Sequence, residues 1–342
     1  MRVLLIKTSS MGDIIHTFPA LTDAGRAIPG ITFDWMVEDV FSDIPLWHPR
    51  VNRVIPVALR RWRKNVFSRD TRAGLGQVRE QLKKQRYDLV LDAQGLVKSA
   101  LLIFLADGPR AGLDWRSARE PLASLVYQRK LNVNFYQHAI VRMRSLFSLS
   151  LDYALPDLQP EFDLNRQMFQ ANTSGEKYLV FLFGTTWTSK QWPESYWMRL
   201  AELAGQAGYR VKVSGNSPDE IKAAQRIGQA GAAVDVLPRL KISEMAALLA
   251  NAAAAVAVDT GFGHLAAALG VPTVSLYGST NPAYTGALGK SSVHLAANFS
   301  CAPCLSRECT YKKPSRVTPA CYETVDPARV WSVLLPLLSP AS

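Results

Sequence analysis

The stretch Ala254-Ala-Val-Ala-Val-Asp-Thr-Gly-Phe-Gly-His-Leu-Ala-Ala-Ala-Leu269 constrains the fold of this chain more than any other. A short apolar run, Ala254 to Val258, ends in Asp259-Thr260-Gly261-Phe262-Gly263-His264, and an Ala- and Leu-rich helix follows at once. A strand feeding a glycine-rich turn into a helix N-terminus lets backbone N–H groups approach phosphate oxygens, and the helix dipole favours the negative charge. The turn therefore points to a nucleotide or another phosphorylated ligand. Its bland alternative is a bend that needs two glycines for geometry alone.

Gly261-x-Gly263-x-x-Ala266 also matches the dinucleotide fingerprint in form. That fingerprint wants an acid about 20 residues further on for the ribose hydroxyls. Between Asp259 and Glu308 the chain has no Asp or Glu, so the redox reading fails. Gly289-Lys290-Ser291 looks like the tail of a P-loop, but Tyr284 stands where the leading glycine would have to be.

Around this turn the rest of the sequence alternates apolar β-rich runs with amphipathic helical stretches, the pattern of parallel-sheet α/β domains. Strands are expected at about 2–7, 31–37, 53–57, 87–92 and 110–113, with helices at about 12–27, 73–85, 96–106 and 136–150. After a Pro-containing stretch from Leu155 to Pro160 the pattern restarts. Strands follow at about 177–183, 209–214, 233–237, 253–258, 272–277 and 292–296, with helices at about 194–207, 217–229, 242–250, 262–269 and within 322–338. A length of 342 residues suits two domains. The expected division is an acceptor-binding domain at 1–155, a linker at 156–175, a nucleotide-binding domain at 176–325 and a C-terminal helix at 326–342. Two doubly wound halves facing each other would make a cleft, with ligands at the carboxyl ends of the strands.

Polar loops sit at those strand ends: Lys7 to Ile14, Asp92 to Ser99, Gly184 to Pro193, Ser214 to Glu220, and Asp259 to Gly261. Packing alone does not ask for five such loops on one rim; a cleft enzyme does. Ser10-x-x-Asp13 is a capping-box pattern, and an acid in a first helical turn is favourable without any function. Asp13 is thus either a cap or a base that takes a proton late, as the attacking oxygen bonds to an electron-poor carbon.

A net charge of +11 suggests an anionic partner: nucleic acid, an acidic membrane face or a phosphorylated substrate. The densest basic cluster is Arg60-Arg61-Trp62-Arg63-Lys64, read as an aromatic-and-phosphate contact, a membrane interface or a plain solvated loop. No helix-turn-helix, RRM or zinc-finger pattern supports nucleic acid. Apolar runs all fall short of the roughly 20 residues that span a bilayer. Met1 to Lys7 reads as a strand rather than a signal peptide, so a cytoplasmic protein is expected. The four cysteines, Cys301-x2-Cys304-x4-Cys309-x11-Cys321, read as ligands of a structural zinc or iron, as free thiols, or as disulfides.

Taken together the loops resemble those of the ADP-heptose:lipopolysaccharide heptosyltransferases, two-domain glycosyltransferases of the GT-B type. The likeness rests on Lys7-Thr-Ser-Ser-Met-Gly-Asp13, Arg60 to Lys64, Asp92-Ala-Gln-Gly-Leu-Val-Lys-Ser99, Ser117-Ala-Arg-Glu-Pro-Leu-Ala-Ser124, Lys190-Gln-Trp-Pro193 and Asp259-Thr-Gly261. These span nearly the whole chain. Arg60 to Lys64 and Ala118 to Ser124 are most similar to the branch that adds the first L-glycero-D-manno-heptose to Kdo of the inner core.

The resemblance implies inverting, metal-independent transfer from ADP-heptose to Kdo2-lipid A at the cytoplasmic membrane face. Asp13 matches the family's general base, and Lys190 a residue that neutralises the departing diphosphate. Thr185 and Thr186 match contacts beside it, and Glu220 an acid on the adenosine ribose, with Asp219 as the other candidate. Asp259 matches a contact to heptose hydroxyls; Thr260, Gly261 and His264 match the diphosphate-binding helix start. Ser10, Arg60, Arg61, Arg63, Lys64, Lys98 and Arg119 would meet the acidic acceptor. A lysine and a helix N-terminus can stand in for a divalent metal at the leaving group, and the chain contains no Asp-x-Asp motif. Closure of the halves would exclude water from the donor. The cysteine segment resembles instead other branches of the wider family, some with cysteine-bound iron.

Overall fold

The computed structural model describes residues 1–65, 67–169, 177–231 and 233–338. Two compact units form, Met1–Leu164 and Asn165–Ser342, each built on a six-stranded, all-parallel sheet. Strands of the first unit are β1 Arg2–Ile6, β2 Thr32–Glu38, β3 Val51–Val57, β4 Leu89–Asp92, β5 Arg110–Leu113 and β6 Arg129–Leu131, ordered β3-β2-β1-β4-β5-β6. Its helices are α1 Met11–Ile15, α2 Phe18–Ala27, α3 Leu59–Trp62, α4 Arg69–Lys83, α5 Val97–Ala100 and α6 Ala139–Leu151. The second unit has β7 Tyr178–Leu182, β8 Arg210–Ser214, β9 Val234–Leu237, β10 Ala254–Val258, β11 Thr273–Tyr277 and β12 Ser292–Ala296, ordered β12-β11-β10-β7-β8-β9. Its helices are α7 Glu194–Gln206, α8 Pro218–Gly228, α9 Ile242–Ala250, α10 Gly261–Ala268, α11 Pro282–Thr285 and α12 Pro327–Leu338.

Counted within each unit, both sheets follow the doubly wound order 3-2-1-4-5-6. The order reverses beside β1 and β4 in the first unit, and beside β7 and β10 in the second. In each unit the loops leaving those two strands flank the crevice where a sheet of this order binds ligands. Central strands are apolar because helices cover both their faces: Val3 to Ile6 and Ala254 to Val256 have no solvent exposure. On the first sheet, one face packs Leu4, Ile6, Met36 and Val90 against Leu82 and Ile103. Phe33 meets Phe147 with ring centroids 5.8 Å apart, and a buried Asp23–Arg144 ion pair at 2.6 Å joins α2 to α6. On the second sheet, Phe181, Phe183, Trp192 and Trp197 form the aromatic part of the core. Gly263 lets α10 lie close on β10, since a Cβ there would stand 2.9 Å from Ala257 Cβ. That glycine serves packing.

Four sequence expectations are corrected. The helix expected over 12–27 is two, α1 and α2, because Pro19 has no N–H to continue the ladder and collides with the preceding turn. The one expected over 96–106 is α5 followed by a 3-10 turn at Leu101–Leu105. A sixth strand, β6, completes the first sheet; two of its three residues are basic, as suits an edge, and so it gave no apolar signal. Residues 156–161 are pinned to the first unit, by bonds from Arg144 to the Pro156 and Leu158 carbonyls and from Arg26 to Glu161. Of the linker expected over 156–175, residues 170–175 lie outside the described residues, as do 339–342 of the expected last helix. Among the described residues no helix is long and apolar enough to cross a membrane.

Candidate active site

In the first unit the loop after β1 is stitched to the loop after β4. The backbone N–H groups of Thr8 and Ser9 both donate to Gln94 Oε1, at 3.0 and 3.2 Å. Lys7, almost wholly buried, donates from Nζ to the Ala93 carbonyl at 3.1 Å. Burial pulls its pKa below the ordinary lysine value, while the charges of Asp13 and Asp92 push it back up. Asp92, at the end of β4, accepts from Tyr127 Oη, Ser99 Oγ and the Gln94 N–H at 2.7, 2.9 and 2.7 Å. Burial raises its pKa despite those donors.

Asp13 stands in the first turn of α1. Its Oδ2 accepts from the Ser10 backbone N–H at 2.7 Å and the Ser10 hydroxyl at 3.0 Å, so the cap expected from Ser10-x-x-Asp13 exists. Oδ1 has no hydrogen bond among the described residues and remains available to a ligand. Arg142, on α6, is mostly buried with its guanidinium 4.4 Å from the Phe135 ring centroid, and it bonds the Ser117 carbonyl. The charge of Asp13 reaches it, partly offsetting the lowering of its pKa by burial. Lys7 and Arg142 are absent from the site residues expected from the sequence. Lys7 is signalled there by its place at the end of β1 and by opening the Lys7 to Asp13 stretch, without a role; nothing in the pattern of α6 singles out Arg142.

The basic cluster does not do what its composition suggested. Trp62 is buried in the core beneath α4, where Gly74 leaves room for its ring. It is therefore no part of an aromatic contact surface. Arg60, Arg61, Arg63 and Lys64 are exposed. Arg60 lies over Phe41 at 5.4 Å, and Arg61 pairs with Asp39 at 3.4 Å. Lys98 and Arg60 both act on the buried Glu38, whose carboxylate takes the Arg60 N–H at 2.9 Å. Arg119 is exposed, and its charge is felt at Lys7.

In the second unit, the loop after β7 brings Lys190 to the end of β10. Its Nζ lies 2.7 Å from Asp259 Oδ2 and 4.5 Å from the Trp187 ring centroid. Thr280 donates to the same oxygen at 2.8 Å, and His264 Nε2 lies 3.8 Å from Asp259 Oδ1. Asp259 and Lys190 thus meet beside Thr260, the residue that opens α10. Thr185 is half-buried and Thr186 exposed in the same β7 loop. Glu220 accepts from the Asn216 and Ser217 N–H groups at 2.9 and 3.1 Å, capping α8. A Cβ on Gly184 would meet Glu220 Oε1 at 2.8 Å, so that carboxylate reaches the end of β7. Asp219 is exposed on the first turn of α8.

All four cysteines are free thiols, which removes the disulfide reading. They line one cavity of about 330 Å³ together with Ser189 and Ser279. No three possible ligating side chains come close enough to hold a metal ion among the described residues, so the thiols do not fit a metal in this arrangement. Burial and the neighbouring thiols push Cys321 up to about 12. What the segment does instead is hold the Lys190 loop. Ser189 Oγ donates to the Ser306 carbonyl at 2.6 Å, and the Ser189 N–H to the Arg307 carbonyl at 3.2 Å. Tyr322 Oη donates to the Lys190 carbonyl at 2.9 Å.

The family model described as glycosyltransferase family 9 (heptosyltransferase) matches residues 75–314. Lipopolysaccharide heptosyltransferase 1 of Pseudomonas aeruginosa is 51% identical, the alignment covering 99% of this chain and 98% of that one. The solved structure of the E. coli heptosyltransferase WaaC with ADP superposes with a TM-score of 0.83 at 48% identity, over 87% of this chain and 93% of that one. Its complex with ADP-2-deoxy-2-fluoro heptose gives 0.80 at the same identity and coverage.

Proposed function

The chain belongs to glycosyltransferase family 9, the heptosyltransferases, and from the chemistry of its two units we propose that it adds heptose to the inner core of lipopolysaccharide. ADP-heptose is the donor, Kdo of Kdo2-lipid A the acceptor, and the work is done at the cytoplasmic membrane face. The observation that carries the reading is the meeting of Lys190, Asp259 and the start of α10 at one switch point. A cation beside a helix N-terminus suits a diphosphate, whose charge grows as it leaves. Crystal structures of a relative at 48% identity with ADP and with an ADP-heptose analogue support the same donor here.

In this reading Lys190 turns from Asp259 to the diphosphate, and Asp259, still held by Thr280, accepts from heptose hydroxyls. Thr185, Thr186, Thr260, Gly261 and His264 line the donor, and Glu220 takes the ribose. A Kdo hydroxyl oxygen attacks the anomeric carbon from the face opposite ADP. The new C–O bond forms as the bond to the β-phosphate oxygen breaks, with its electron pair leaving on ADP. The hydroxyl proton passes to Asp13 Oδ1, the oxygen the cap leaves unused. Ser10, Lys98, Arg119 and the Arg60 to Lys64 turn would face acceptor carboxylates and phosphates. Inversion follows from a single displacement, and no metal is required.

The test is Asp13→Asn, assayed with ADP-heptose, Kdo2-lipid A and EDTA. An asparagine oxygen can still accept from the Ser10 N–H, so the cap and the melting temperature should survive. Turnover should fall by about 10²- to 10⁴-fold, the usual contribution of a general base, with ADP affinity unchanged. A variant that turns over normally would end the assignment of Asp13. Retention of configuration in the product would end the single displacement.

A further inference from the structure

The first unit carries an apolar face beside the loop assigned above to the acceptor. Leu101 and Phe104 are 58% and 52% exposed on the 3-10 turn Leu101–Leu105; Leu122 and Leu125 are 59% and 64% exposed on a second, Pro121–Val126. With three residues per turn, positions i and i+3 eclipse in a 3-10 helix. Each pair therefore makes one outward ridge, while Leu102, Ile103, Ala123 and Ser124 turn to the core. The two turns are neighbours. Helix α5, which runs directly into the first, packs on the second, and the Val97 N–H donates to Glu120 Oε2 at 2.8 Å. Scattered exposed leucines are ordinary; two such ridges on turns joined through α5 are a surface with a use.

One cation lies on this face and two more stand beside its turns in the sequence. Arg110 lies over the Phe104 ring at 4.6 Å, Lys98 precedes Leu101 by three residues, and Arg119 precedes Pro121 by two. Of the acids nearby, Glu120 is engaged by the start of α5, and Asp114 by Asn132 and the Arg116 and Ser117 N–H groups; Asp107, two residues past the first turn, is exposed. Apolar ridges beside basic side chains match the layering of an anionic bilayer, acyl chains beneath a sheet of phosphates.

We propose that Leu101, Phe104, Leu122 and Leu125, with Lys98, Arg110 and Arg119, form the surface by which this protein docks on an anionic membrane. The ridges enter the headgroup boundary and the long basic side chains reach lipid phosphates. Because the loop that follows Asp92 leads straight into α5, docking brings the acceptor side of the first unit to the lipid surface. The purpose of the docking rests on the function proposed above; the docking itself does not.

The experiment compares the full chain with a variant carrying Leu101→Gln, Phe104→Gln, Leu122→Gln and Leu125→Gln. All four positions are exposed, so melting should be unchanged. Binding is read by co-flotation with vesicles of phosphatidylethanolamine and phosphatidylglycerol, and with phosphatidylcholine vesicles alone. The wild type should float with the anionic vesicles, less so as salt is raised, and Arg110→Gln should weaken it further. The fourfold variant should bind at least about 100-fold more weakly, while transferring heptose normally to a soluble, lipid-free Kdo acceptor. Equal vesicle binding by variant and wild type, or none by the wild type, overturns the proposal. So does a variant that binds vesicles normally but fails on the acylated acceptor in detergent: the face would then hold the acceptor's own chains. Vesicle binding by a wild type that transfers no heptose even to the soluble acceptor supports the docking face and ends the functional reading.

Discussion

At the scale of single residues, burial decides which charges are available. His48 shows this away from the site. The Arg50 N–H donates to His48 Nδ1 at 3.1 Å, so Nδ1 is bare and Nε2–H faces Thr22 Oγ1 at 3.1 Å. Thr22 in turn donates to the Phe18 carbonyl. A proton on Nδ1 would break that chain inside the core, and burial holds the His48 pKa down to about 3. The unfolded chain takes the proton near 6.5. Stability from neutral His48 is therefore intact above about pH 6.5 and falls toward pH 3, by at most about 1.4 kcal/mol per pH unit. Urea unfolding near pH 7 and near pH 5 should show the wild type losing more stability than His48→Gln. Equal losses would remove His48 as the cause. The places of Asp13 and Lys190 near strand ends were legible in the sequence because each belongs to a polar stretch that follows an apolar run. Arg142 was not, because it lies within α6, away from any strand-end loop, and its link to Asp13 comes from a segment far along the chain.

At the scale of elements, the Lys190 loop depends on a segment with no regular structure for most of its length. Ser189 has one hydroxyl proton and two neighbours, Ser306 O and Ser279 Oγ at 3.0 Å. A carbonyl can only accept, so Ser189 donates to Ser306 and receives from Ser279. The cysteines stand in the same layer, and their exposure orders their chemistry. Iodoacetamide at neutral pH should label the exposed Cys301 and Cys304 first, and Cys321 only on unfolding, since its thiol is buried and pushed up to about 12. Peptide mass spectrometry reads the order, and early labelling of Cys321 would contradict it. Strands such as β10 and helices such as α9 were legible because an apolar run or a 3.6-residue period states its own burial. The 3-10 turn Leu101–Leu105 was not: its period of three appears in the sequence only as an apolar cluster, read there as the continuation of a helix, and the turn Pro121–Val126 was not read as an element. The cysteine spacing likewise suggested ligands, but spacing along a chain says nothing of how side chains converge across a loop.

At the scale of the molecule, one sheet order is used twice, and each unit has its own core. Lys190, Glu220, Asp259 and the start of α10 all belong to the second unit. Residues 165–342 expressed alone should fold and bind ADP within about tenfold of the full chain, without transferring heptose. Calorimetric titration checks it, and a fragment with a cooperative melt that ignores ADP would place part of the donor site elsewhere. The stitching of the Lys190 loop has a consequence in time as well as in space. Ser189 waits for a carbonyl 117 residues further along, and the Lys190 carbonyl for a hydroxyl 132 residues along. The last sheet strand ends at Ala296, before either partner. A ribosome making this protein therefore releases every described strand of both sheets before the lysine loop has its anchors. The nascent chain can be folded in its sheets and still chemically idle, and its capacity to handle a nucleotide sugar waits for Ser306, Arg307 and Tyr322.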